Sequence, residues 1–328
     1  MADARHRTIE ANGIRVHVAE QGEGPVVLLC HGFPETWHSW RHQLSALAEA
    51  GYRAVAPDLR GYGGTDRPPG ADQYTLLHLV GDMVALLDAI DAPRAVIVGN
   101  DWGATVAWQA ALLRPDRFRA VAAMGVPMMG QPPRPPTQIF PRTDDALFYT
   151  LYFQAPGVAE EELERDVRAS LLKILHAASG DAGPREPGDA TPNPFGMVSR
   201  DAGLLAPLPL PVSPPSWLAE EDLDRITASF EASGFRGGLN FYRNLDRNWE
   251  LQASFRGMRV EVPALYLAGE RDPGLAMPGM RQIVDAMPEM VPRLAGSHVI
   301  EGGGHWIQQE KPREVNELLL SFLRSLPE

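Results

Sequence analysis

The segment Gly99-Asn100-Asp101-Trp102-Gly103 sets an aspartate between two glycines, after the run Arg94-Ala95-Val96-Ile97-Val98 and before a helical stretch from Ala104 to Leu113. Strand, sharp glycine turn and helix are the setting in which a G-x-S-x-G turn exposes a serine nucleophile on a strained tip. Here a carboxylate takes the nucleophile's place. Serine needs a base to remove its proton and suits acyl transfer. A carboxylate is ionised at neutral pH and can displace a leaving group at a saturated carbon, forming an ester on the protein. The plainer alternative is that Asp101 only caps the helix beginning at Trp102, since Asp is a favoured N-cap.

Two other segments carry matching chemistry. Gly269-Glu270-Arg271-Asp272-Pro273 follows the apolar run Pro263 to Ala268, and Gly302-Gly303-Gly304-His305-Trp306 follows His298-Val299-Ile300. Both stand where strands should end, on the same sheet edge as Asp101. A histidine oriented by a carboxylate is a general base. Glu270 is the rival acid, but Asp272 lies further into the loop, where it can reach His305. The segment Met124-Gly125-Val126-Pro127-Met128 has no carboxylate to offer instead. Singly, Asp272-Pro273 fits a turn and His305 a surface histidine; together with Asp101 they make a catalytic set. In His31-Gly32-Phe33-Pro34, a turn can aim the Phe33 N–H, with that of Trp102, at the space above Asp101 as an oxyanion hole. Phe33-Pro34 is a candidate cis peptide, and His31 is assigned a structural role.

The elements that must position these residues follow from hydrophobic pattern. Alternation over Thr8 to Ala19 around Asn12-Gly13 predicts a hairpin. Pro25 to Cys30 and Tyr52 to Pro57 predict buried strands, with a helix at Thr36 to Ala50 between them. Apolar residues at helical spacing span Tyr74 to Ile90, and Phe118 to Val126 predicts a further strand. This alternation implies a mostly parallel sheet flanked by helices. The pattern breaks after Pro127. Gln131 to Pro141 and Gly183 to Pro215 are proline-rich, unsuited to a sheet interior and long for compact loops, so they are candidate lid segments. Val158 to Ala178 and Leu218 to Ser233 predict helices, and Pro312 to Leu326 a closing amphipathic helix. The expected organisation is an α/β core over residues 1–130 and 255–328, interrupted by a helical cap over 131–254.

Composition narrows the partner. The 328-residue chain is 44% apolar with a formal net charge of −12, which argues against nucleic acid and for a small uncharged molecule. No stretch approaches the roughly 20 apolar residues of a membrane span, and no signal peptide is visible at the start, so a cytoplasmic location is expected. The single cysteine, Cys30, excludes an internal disulfide. No metal-ligand cluster, P-loop or dinucleotide fingerprint appears, so no cofactor or metal is expected. The oligomeric state is open, a homodimer being one option.

The chain resembles the epoxide hydrolases of the α/β-hydrolase superfamily over essentially its full length, with the order nucleophile, acid, histidine. The resemblance rests on His31-Gly32-Phe33-Pro34-Glu35-Thr36-Trp37, Asp58-Leu59-Arg60-Gly61-Tyr62-Gly63 and Asp101-Trp102-Gly103-Ala104. It extends to Phe148-Tyr149-Thr150-Leu151-Tyr152-Phe153-Gln154, Asn240-Phe241-Tyr242-Arg243-Asn244 and Gly303-Gly304-His305-Trp306. It implies the soluble, bacterial type with the hydrolase domain alone. It also implies that one lid tyrosine from each of two cap segments holds the epoxide oxygen, carried over as Tyr149 and Tyr242. Tyr152, three residues on, is the alternative to Tyr149. Asn100 departs from the histidine often found before the nucleophile and is expected to tune the surroundings rather than the reaction class. Phenols are useful there because an alkoxide's conjugate acid has a pKa near that of water, about 15.7, against about 10 for tyrosine.

The resulting expectation is a cofactor-independent epoxide hydrolase, a detoxification-type enzyme converting a lipophilic epoxide and water to a vicinal diol. Asp101 would attack carbon, Tyr149 and Tyr242 protonate oxygen, and His305 with Asp272 activate water against the alkyl ester. An apolar pocket would be built from Phe33, Pro34, Trp102, Met128, Met129, Phe148, Tyr152 and Trp306. Two rivals stand beside it. One is a haloalkane or haloacid dehalogenase using the same Asp-His-Asp set; the other is a catalytically silent binding protein on the same fold.

Overall fold

The computed structural model describes residues 4–184 and 192–327; residues 185–191, part of the second proline-rich segment, lie outside them. The chain opens with the predicted hairpin, β1 (Arg5–Ala11) and β2 (Ile14–Gln21). Its turn is possible because Asn12 and Gly13 both take positive φ, 51° and 75°, the mirror-image turn that matches strand twist. Next come β3 (Val26–Cys30), α1 (Arg41–Glu49), β4 (Arg53–Pro57), α2 (Leu76–Ala89), β5 (Ala95–Asn100), α3 (Trp102–Leu113) and β6 (Phe118–Met124). After the insertion follow β9 (Ala264–Gly269), α11 (Met280–Met290), β10 (Leu294–Ile300), α12 (Ile307–Glu310) and α13 (Pro312–Ser325). These strands form one eight-stranded sheet in the order β1-β2-β4-β3-β5-β6-β9-β10. β1, β2 and β4 pair antiparallel, and every other neighbouring pair is parallel. This is the α/β-hydrolase fold.

The continuous apolar runs are buried on both faces, as central parallel strands require. In β3 and β5, Val27, Leu29, Val96 and Val98 pack with Leu44 of α1 and Leu319 of α13. The intervening Leu28, Cys30 and Ile97 pack on the opposite side with Leu79 of α2 and Val106 of α3. The alternation follows from the two-residue period of a strand.

Between β6 and β9 lie the insertion's helices and one small sheet: α4 (Pro136–Ile139), β7 (Ala146–Phe148), α5 (Tyr149–Tyr152), α6 (Val158–Glu164), α7 (Val167–Ala177), β8 (Met197–Ser199), α8 (Glu220–Ser233), α9 (Arg236–Arg243) and α10 (Leu245–Gln252). The helix predicted from Val158 to Ala178 is in fact two. Asp166 is extended at φ −148° and its side chain accepts from the Ala169 N–H, restarting the helix as α7; a local N-cap overrides the periodicity. Asp222 of α8 fastens the cap to the core, 2.6 Å from His38 and 3.1 Å from Arg41.

Backbone crowding demands glycine where β5 turns into α3. A Cβ on Gly103 would lie 1.9 Å from the Cys30 carbonyl oxygen, and one on Gly99 2.0 Å from that of Gly103. Gly103→Ala is therefore expected to cost about 3 kcal/mol, the upper end of ordinary overpacking. Urea unfolding followed by far-UV circular dichroism checks this; an unchanged midpoint would show that the turn can open without penalty.

Candidate active site

Asp101 occupies the tip of this turn at φ 53°, ψ −120°, a left-handed position that costs a non-glycine residue about 1–3 kcal/mol. Its side chain makes no capping bond to α3. Instead Oδ1 accepts the Phe33 N–H at 2.8 Å, so the capping alternative does not account for its orientation. Gly32 must be glycine, since a Cβ there would stand 2.4 Å from that of Asp101. The Phe33–Pro34 bond is cis. Below the loop, His31 Nδ1 faces the Gly32 carbonyl at 2.8 Å and Nε2 accepts the Leu59 N–H at 2.9 Å. Those partners require the neutral form with the proton on Nδ1, and burial lowers its pKa. His31 is a structural post.

The two loops beyond β9 and β10 bring a histidine and a carboxylate to the same place. His305 Nδ1 lies 3.0 Å from both Asp272 oxygens, and its Nε2 faces Asp101 Oδ2 at 3.4 Å. That second contact has charge proximity but not hydrogen-bond geometry, and Nε2 has no hydrogen-bond partner. Burial alone would lower the imidazole's pKa; the Asp272 charge and the nearness of Asp101 more than offset this and hold it well above the ordinary histidine value. The rival acid is elsewhere: Glu270 is exposed and accepts the Gly302 N–H at 3.0 Å. Gly125 makes room for the set at φ 74°. A Cβ there would meet Asn100 Oδ1 and Asp272 Oδ2 at 3.3 Å and His305 Cε1 at 3.4 Å. Asn100 thus stands beside the His–Asp pair, fully buried.

The cap supplies the phenols. Tyr149 begins α5 and Tyr242 lies on α9, their ring centroids 5.9 Å apart. Tyr242 also packs edge-on against Trp102 at 5.1 Å and Phe33 at 5.7 Å. Burial first, and the Asp101 charge second, push both phenols above their usual pKa, so both remain protonated hydrogen-bond donors. Tyr152 is a different case. Its hydroxyl lies 2.7 Å from Glu162, whose carboxylate also accepts the Leu204 and Leu205 N–H groups. The Tyr152 hydroxyl is thus engaged by a cap carboxylate, apart from the Tyr149–Tyr242 pair.

Among the expected pocket residues, Met128 is buried but Met129 is 45% exposed and forms no part of the buried wall. Phe148 is half-buried against Phe140 and Tyr149. Trp306 packs edge-on against His305 and donates its indole N–H to the Leu175 carbonyl of α7. Three residues were given no role by the sequence reading. Phe195 lies 4.6 Å from His305 and 5.6 Å from Tyr149 between ring centroids, yet its proline-rich segment has no periodicity to signal it. Phe153 packs on both Phe33 and Tyr242. Glu35, fully buried, accepts the Gly32 N–H and the Gln308 and Gln309 amides, and burial pushes its carboxyl up to about 7.

Among the described residues, no group of three or more His, Cys, Asp or Glu side chains is placed to hold a metal, and no helix is long and apolar enough to cross a membrane. The α/β-hydrolase-fold family matches residues 25–178. Epoxide hydrolase A of Mycobacterium tuberculosis is 44% identical over 329 residues, covering 99% of each chain. An epoxide hydrolase from an endophytic Streptomyces superposes with a TM-score of 0.94 at 45% identity, over 99% of this chain and 97% of that one. That of Vigna radiata gives 0.89 at 39% identity, over 99% and 98%. With identities of this size across nearly the whole length, the chain belongs to the epoxide hydrolases of the α/β-hydrolase fold.

Proposed function

We propose that the enzyme converts a lipophilic epoxide to a 1,2-diol through an alkyl ester on Asp101. The observation that carries this reading is the placement of the Asp101 carboxylate, with one oxygen on the Phe33 N–H and the other facing His305 Nε2. Two phenols that feel its charge lie across from it in the cap.

In the first step Asp101 Oδ2 attacks an epoxide carbon, the ring C–O bond breaks, and the released oxygen takes a proton from Tyr149 or Tyr242. The attack consumes the Asp101 charge, which adds to burial in raising the phenols' pKa, so the acid strengthens as the alkoxide forms. The proton that His305 then gives up neutralises the tyrosinate. In the second step neutral His305 removes a proton from water as the hydroxyl adds to Asp101 Cγ. Oδ1 becomes the oxyanion already held by Phe33, with the Trp102 N–H as second donor. Collapse expels the diol oxygen, which takes its proton from His305, and the Asp101 proton returns to His305. Asp272 holds the imidazole in place and stabilises its charged form. Residues 131–254 serve as the lid. The buried rings of Phe33, Trp102, Phe153 and Phe195, with Met128, favour an apolar substrate. Two protonated phenols suit an oxygen leaving group rather than a halide.

His305→Gln should form the ester but not hydrolyse it. Intact-mass spectrometry should show a gain equal to the epoxide, located on the peptide containing Asp101; no adduct, or one elsewhere, would sink the two-step scheme. Tyr149→Phe and Tyr242→Phe should each slow ring opening about 10²–10³-fold, as loss of one oxyanion donor does. The double substitution should be far worse and Tyr152→Phe near neutral, all by single-turnover kinetics. A severe Tyr152→Phe would return that residue to the site. The rate of ester decay should rise with pH. In the ester Asp101 is uncharged, which removes part of the upward pull on His305, so the base is freed at lower pH than in the resting enzyme. Ester decay that stays flat between pH 5 and 8 would exclude His305 as the base.

A further inference from the structure

One carboxylate beside the site takes no part in this scheme. Glu310 closes α12 five residues after His305, with its stem half-buried and its carboxylate turned onto three backbone N–H groups. Oε2 accepts from Gly180 at 2.8 Å and Gly304 at 2.9 Å, and Oε1 accepts from Trp306 at 2.9 Å. Gly304 and Trp306 flank His305. Gly180 belongs to the cap, just beyond α7. One side chain therefore grips the base's loop on both sides and the cap segment lying on it.

The rest of the junction shows why a carboxylate fits. The Ser179-Gly180 and Gly304 backbones are in direct contact: a Cβ on Gly304 would lie 2.3 Å from the Gly180 nitrogen. The His305 N–H donates to the Ala178 carbonyl at 2.9 Å, and Arg271 donates to that of Gly180 at 3.1 Å. Two N–H groups from different segments then converge on one oxygen. A carboxylate can accept all three donors with charge-assisted bonds, whereas an amide must turn its NH₂ toward at least one N–H.

We propose that Glu310 is a positioning residue for the hydrolytic step, fixing His305 against the Asp101 ester and making that placement depend on the cap being seated. The proposal rests on the reading of His305 as the base. Ring opening needs only Asp101 and the phenols, so it is spared, whereas ester hydrolysis feels any displacement of the imidazole. Misplacement on the order of 1 Å costs about 10²-fold in rate. Glu310→Ala, which loses all three bonds, should slow ester decay about 100-fold. Glu310→Gln keeps the length and one acceptor oxygen, and should fall between Glu310→Ala and the parent.

The test measures ring opening and ester decay separately, by rapid quench and intact mass, for the parent, Glu310→Gln, Glu310→Ala and His305→Gln, with thermal midpoints recorded alongside. The expected result is parental ring opening in Glu310→Gln with slowed ester decay and accumulated ester. If Glu310→Ala does not fold, Glu310→Gln decides the matter alone. Parental ester decay in Glu310→Gln, or equal slowing of both steps, overturns the proposal while leaving the scheme standing if His305→Gln accumulates ester. If His305→Gln accumulates none, the scheme fails and the proposal with it.

Discussion

The contact between the Phe33 N–H and Asp101 Oδ1 is the constraint on which the site depends. It joins the loop after β3 to the turn after β5, two strands paired in parallel at the centre of the sheet. A carboxylate on a left-handed turn would otherwise be free to cap its own helix. Held by that one bond, it presents its second oxygen to His305. The glycines around it serve the same end. Gly32, Gly99 and Gly103 each stand where a methyl group would collide with the site or its supports, and one on Gly125 would crowd Asn100, Asp272 and His305. The α/β core spends backbone strain at one residue and surrounds it with tightly packed chain, the condition under which such strain persists.

Electrostatics in the site centre on one charge, the Asp101 carboxylate. In the resting state burial opposes the charge on His305, but flanking Asp272 and Asp101 more than offset it and raise its pKa, while burial first and Asp101 second raise those of the phenols. Esterification would remove the charge common to both effects. In the proposed scheme one group thereby tunes both the acid and the base, each for its own step. Low exposure to solvent makes such coupling strong, because charges separated by protein rather than water are poorly screened.

Much of this was legible because the decisive signals are local. Asp101, Asp272 and His305 each follow a short apolar run and a glycine, so strand end and loop residue are written side by side. The Asn12-Gly13 hairpin and the break at Phe33-Pro34 have equally local causes. What depended on distant contacts was harder to see. The contact of the Tyr152 hydroxyl with Glu162, ten residues on, is one such case. Phe195 reaches His305 from an aperiodic proline-rich stretch. The division of the Val158–Ala178 helix turns on one capping aspartate, Asp166, within an otherwise continuous apolar pattern. Met129 is apolar yet exposed, which sequence type alone does not reveal.

The cap leaves the sheet after β6 and returns at β9, and these two strands are hydrogen-bonded neighbours. Topologically the whole 125–263 stretch is therefore a single crossover anchored on two neighbouring parallel strands, with Met124 opposite Leu267 and Ala264 opposite Val121. Closing a flexible loop costs entropy that grows only with the logarithm of its length, about 0.6 kcal/mol for each doubling. The core thus pays little for the size of what is inserted there. Segments between these two anchor points can be lengthened or shortened while strand order and elbow remain as they are, except around Ala178 and Gly180, which hold the His305 loop. Chain length is thus adjustable within the very stretch that carries Tyr149 and Tyr242.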